Sequence, residues 1–80
     1  MTTSYTVSTR DVDGSTKRIY KLKSKAVNRF EDMSGHTLQN VLDDQYCSPD
    51  ANRAVPTFET IKYLRDVSNY GCVVTIEINA

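Results

Sequence analysis

An 80-residue chain with 39% hydrophobic and 25% charged residues has the composition of one ordinary globular domain, near the low end of what buries an adequate core unaided. These values exclude disordered and fibrous classes, and ten basic residues against ten acidic ones argue against a protein whose main business is coating nucleic acid or an anionic membrane. No apolar run approaches ~18 residues and the polar N-terminal stretch holds no secretory signal, so a cytoplasmic protein with no membrane partner is expected.

Two alternating runs, Ser4–Arg10 and Thr16–Lys23, flank Asp13-Gly14, a dipeptide suited to a type I′ hairpin turn because both central residues need positive φ. With Asp13 and Gly14 as the loop, Val7 falls opposite Tyr20 and Tyr5 opposite Leu22, so the bulky apolar residues share one face. A one-residue slip would scatter them over both faces. Ser24 caps a first helix, Lys25–Met33, in which Ala26, Val27, Phe30 and Met33 fall at helical spacing, and Ser34-Gly35 ends it. Thr37 caps a second helix, Leu38–Tyr46, with Leu38, Val41 and Leu42 on one face. Residues 47–56 hold both prolines and read as a surface loop. Thr57 then caps a third helix, whose buried stripe is Phe58, Ile61, Leu64 and Val67. Tyr63 and Tyr70 lie on its flank, and Gly71 closes it. The last strand, Cys72–Ile78, alternates Val74, Ile76 and Ile78 with Val73, Thr75 and Glu77.

The expected architecture is a single α+β domain over residues 1–80, in the order β-β-α-α-α-β. Its three-stranded, mainly antiparallel sheet has strand order 2-1-3, and the helices pack on one face. That order puts the lysine-bearing second strand at an edge, where charge discourages unwanted pairing. The alternative, 1-2-3, would make the second and third strands a parallel pair joined by a right-handed crossover.

Charge is graded along the chain: residues 1–26 carry six cations against Asp11 and Asp13, and the remainder four against eight carboxylates. Lys17, Lys21 and Lys23 share one strand face, Arg10 pairs across from Lys17, and Lys25 follows. This stripe is spaced for phosphate contacts, although no aromatic ring accompanies it. His36, Cys47 and Asp43 or Asp44 can be drawn as a nucleophilic set, but a polar turn residue accounts for the histidine and eighty residues leave little material for a rigid pocket. Cys47 and Cys72 are expected as reduced thiols. One histidine, two distant cysteines and three isolated glycines match no metal or phosphate-loop pattern, so no metal, cofactor or enzymatic activity is expected. Five tyrosines and no tryptophan make a contact surface attractive, since tyrosine combines area with a hydrogen-bonding handle.

The stretch from Val55-Pro56 through Gly71 to the final Ile-Glu-Ile resembles the tail of small phycobilisome linker domains. It covers less than a third of the chain and uses residues any helix-to-strand turn favours.

The function expected is therefore a small protein-binding inhibitor or regulator that occludes a surface on a larger partner, such as a nucleic-acid-binding site, of the kind phages and mobile elements encode. Its contact residues would be Asp43, Asp44, Tyr46, Asp50, Arg53 and Tyr63. A homodimer through the edge of the last strand is a weaker form of the same idea. The alternative is nucleic-acid binding through Lys17, Lys21, Lys23 and Lys25.

Overall fold

In the computed structural model, residues 3–46 and 56–79 are described and form β1 (Ser4–Asp11), β2 (Gly14–Tyr20), α1 (Lys23–Ser34), α2 (Leu38–Tyr46), α3 (Phe58–Ile61), β3 (Tyr63–Val67) and β4 (Val73–Asn79). The strands make one antiparallel sheet in the order β2-β1-β4-β3. The expected placement of the C-terminal strand beside the first, antiparallel to it, is what forms. The expected count of three strands is corrected to four.

The added strand comes from the segment read as a long third helix. Helical structure there stops after Ile61, because Lys62 takes φ 62°, a left-handed conformation that ends the turn while its N–H donates to the Phe58 carbonyl at 2.8 Å. Tyr63 to Val67 then pair with β4, placing Leu64 opposite Ile76 and Asp66 opposite Val74. Phe58 and Leu64 are buried in this arrangement, as they would be in a helical stripe, so their spacing could not separate the two. Pairing decides the matter, since it gives the backbone groups along the second edge of β4 hydrogen-bonding partners. Gly71, expected to close a helix, instead takes φ 82° in the β3–β4 turn. There Gly71 N donates to the Ser68 carbonyl at 2.9 Å, and Ser68 Oγ accepts from Cys72 N at 3.0 Å.

Over its paired length the first hairpin keeps its expected faces but not its expected register, and Leu22, expected opposite Tyr5, lies beyond β2 and is exposed. Val12 and Asp13 form the loop, Asp11 pairs with Gly14, and Tyr5 lies opposite Tyr20 and Val7 opposite Arg18. The only positive φ in this turn is at Gly14, 138°, which rules out type I′. Asp11 Oδ1 accepts from Asp13 N at 2.8 Å and holds the bend. A slip of two residues preserves the pleat's parity, so Tyr5, Val7 and Tyr20 still share a face.

α1 begins two residues before the expected helix, with Leu22 as N-cap and Ser24 inside its first turn, and ends at Gly35 with φ 77°. α2 has the expected bounds. Thr37 Oγ1 accepts from Asn40 N at 3.1 Å, and Glu31 Oε2, reaching over from α1, accepts from Leu38 N at 2.7 Å. Those bonds satisfy two amides that a helix start leaves without partners. Both long helices cover one face of the sheet and close a core of Val7, Ala26, Phe30, Val41, Leu42, Phe58, Leu64, Val74 and Ile76. Fully burying each larger member contributes about 1.5–3 kcal/mol. No helix among the described residues is long and apolar enough to cross a membrane.

Candidate functional site

Two surfaces emerge, one on each side of the sheet. On the helical side, the capped start of α2 turns Val41 and Leu42 into the core and leaves Asp44, Gln45 and Tyr46 exposed. Asp43 is half-buried and accepts from Gln39 Nε2 at 2.9 Å. Gln45 Nε2 donates to the Arg65 carbonyl, tying α2 to the outer edge of β3. Beside α2 lies a cleft of about 330 Å³ lined by His36, Asn40, Val41, Asp44 and Asp66. In it His36 Nδ1 meets Asp66 Oδ2 at 2.7 Å, linking the α1–α2 turn to β3.

The expected contact set is only partly gathered. Asp43, Asp44 and Tyr46 share α2, and Tyr46 at its end is 41% exposed. Tyr63 does not join them, because it follows a strand alternation in which Leu64 points to the helices and Tyr63 to the other side. Asp50 and Arg53 lie outside the described residues, as does Cys47. The carboxylate that His36 meets is Asp66, with Asp44 elsewhere on the same cleft, and the thiol of the drawn nucleophilic set, Cys47, lies outside the described residues. Cys72 is half-buried against the core just before β4. Among the described residues, no group of three or more His, Cys, Asp or Glu side chains could hold a metal ion.

The expected basic stripe is redistributed. Lys23 opens α1 and pairs with the Glu59 carboxylate of α3, and Lys25 lies on α1. Lys21 follows the end of β2. Lys17 remains on the sheet's helix-free face, opposite Ser8 and not opposite Arg10, which faces Ser15. β3 adds Arg65 and Tyr63 to that face, and Tyr63 is the aromatic ring the sequence did not place there. The alternation of Tyr63, Arg65 and Val67 with Leu64 and Asp66, closed by Ser68-Asn69-Tyr70-Gly71, was the signal available. Because β4 lies between β1 and β3, the last strand has no open edge for a homodimer. Among the described residues the sheet's edges are β2 and β3.

Comparison with protein-family models, curated proteins and solved structures returned no match for this chain.

Proposed function

We propose that this protein is a small non-enzymatic binding module, an inhibitor or regulator that acts by occluding a surface on a larger protein. Phages and mobile elements encode proteins of this kind. The observation that supports it is the acidic side of α2, where Asp44 is exposed and Asp43 half-buried. Asp43 and Asp44 sit there, Asp66 lies across the cleft, and Tyr46 ends the helix with its ring partly open to solvent. Carboxylates in such a group speed encounter with a basic partner surface, and a single aromatic anchor often carries much of the affinity. A site that normally holds nucleic acid is a basic surface of this type.

The test is affinity capture with wild-type protein beside the double variant Asp43→Lys, Asp44→Lys and the single variant Tyr46→Ala. A stoichiometric partner should be retained by the wild type, associate more slowly with the double variant, and bind Tyr46→Ala at least about 1 kcal/mol more weakly. A partner that binds all three equally would remove α2 from the interface, and the absence of any stoichiometric partner would defeat the proposal itself.

A further inference from the structure

The outer face of the sheet holds a second, independent surface, and its side chains fall in rows across the four strands. One row runs Lys17, Ser8, Thr75, Arg65, and the next towards the hairpin tips runs Ser15, Arg10, Val73, Val67. The row on the other side runs Ile19, Thr6, Glu77, Tyr63. Between the first two rows is a shallow hollow of about 400 Å³, to which Ser8, Arg10, Ser15, Lys17, Val73 and Thr75 contribute, with no carboxylate among its described lining residues. The only ion pairs among the described residues are Lys23–Glu59 and His36–Asp66, so no described carboxylate pairs with Arg10, Lys17 or Arg65.

We infer that this face binds single-stranded nucleic acid, with a backbone phosphate in the Arg10–Lys17 hollow, the strand running along the Lys17–Arg65 row, and a base stacked on Tyr63. Phosphate oxygens accept from several donors at once. The hollow offers a guanidinium fork, an ammonium and the hydroxyls of Ser8, Ser15 and Thr75. Arg65 stands three strand spacings from Lys17 in the same row, about 14 Å by ordinary sheet geometry. Tyr63 is next to Arg65 on the same face of β3 and is 46% exposed, so its ring is open to a base beside the last cation. Stacking of this kind needs a base outside a duplex, and a flat sheet face presents no element to enter a groove, so the ligand is single-stranded. Glu77, the one carboxylate in these rows, lies beside Tyr63 and off the Lys17–Arg65 track. The inference does not rest on the α2 surface, and either can fail alone.

Fluorescence anisotropy with a labelled 12-nucleotide oligo-dT, an oligo-U and a duplex of equal length tests it. Single strands should bind at ~50 mM salt, with a log–log salt slope of magnitude about 1.4, since two neutralised phosphates, one in the hollow and one at Arg65, each contribute about 0.7. Lys17→Glu or Arg65→Glu should weaken binding at least about tenfold and flatten that slope. Tyr63→Ala should weaken it about fivefold or more, at unchanged slope, because stacking is lost and charge is not. Lys25→Glu, on α1, should change nothing. Lys17→Ala and Arg65→Ala, which put no carboxylate into a strand, replace the reversals if circular dichroism shows those unfolded. The inference is overturned by no binding at ~50 mM salt, by tighter binding of the duplex, or by an equal loss in Lys25→Glu. Displacement of the oligonucleotide by millimolar inorganic phosphate would also overturn it, making the hollow a small-anion pocket.

Discussion

The same four strands present two faces that share a backbone and nothing else. Val7, Leu64, Val74 and Ile76 point one way and are buried under helices, while Ser8, Lys17, Arg65 and Thr75 point the other way and meet solvent. One-sided antiparallel sheets commonly divide in this manner. The contrast teaches that alternation separates two tasks at single-residue resolution: neighbours such as Tyr63 and Leu64 serve a candidate ligand and the core respectively. Stability and binding are then separable by substitution, which is uncommon in a domain this small.

The contrast is sharpened most by the largest core residue. Phe30 is completely buried on α1, and Phe30→Ala should cost about 3–5 kcal/mol, enough to unfold most of a domain of this size. Chemical denaturation would show it, and a loss near 1 kcal/mol would place α1 elsewhere. Next comes a pair on β3. Leu64→Ala should cost about 2–5 kcal/mol, and Val67→Ala, on the outer face, about 0.5 kcal/mol or less. Equal costs would put both residues on one helical stripe and dissolve β3 altogether. The smallest effect runs in the opposite direction. Lys62 adopts φ 62°, a conformation that costs a non-glycine residue roughly 1 kcal/mol, so Lys62→Gly should raise stability by up to about that amount. A destabilised Lys62→Gly in thermal melts would mean that the left-handed turn into β3 is not populated.

Much of the covered face was legible in the sequence, and much of the open one was not. The start of α2 could be read because Thr37 caps it, and its face because Leu38, Val41 and Leu42 repeat at helical spacing. The facing of β1 and β2 could be read because alternation survives a two-residue slip. Their register could not, because Asp11-Val12-Asp13-Gly14 supports two loop placements and the Asp11 side chain selects one. β3 was hidden by coincidence of period. Phe58, Ile61 and Leu64 satisfy a helix, and only pairing with β4, a tertiary effect, overrides it. The site inherited the same blind spot. Asp43, Asp44 and Tyr46 share a helix that the sequence pattern predicts, whereas Tyr63 lies on a strand whose residues also satisfy helical spacing. Arg65 had no reason to be grouped with Lys17, 48 positions earlier, until a fourth strand put both in one row.

The pairing of β1 with β4 has a consequence for how the molecule is made. Ser4 lies opposite Asn79, and among the described residues β4 is also the sole strand neighbour of β3. While residues 73–79 are still within the ribosome, β1–β2 is the one described strand pair that can form, with α1 able to pack on it but without the central β1–β4 ladder. The central ladder therefore assembles after synthesis has reached β4, through contacts as distant in sequence as Ser4 and Asn79, a slow kind of closure. A product ending before residue 73 would lack the partner of two strands at once, and would reach the cell's proteases without an assembled sheet.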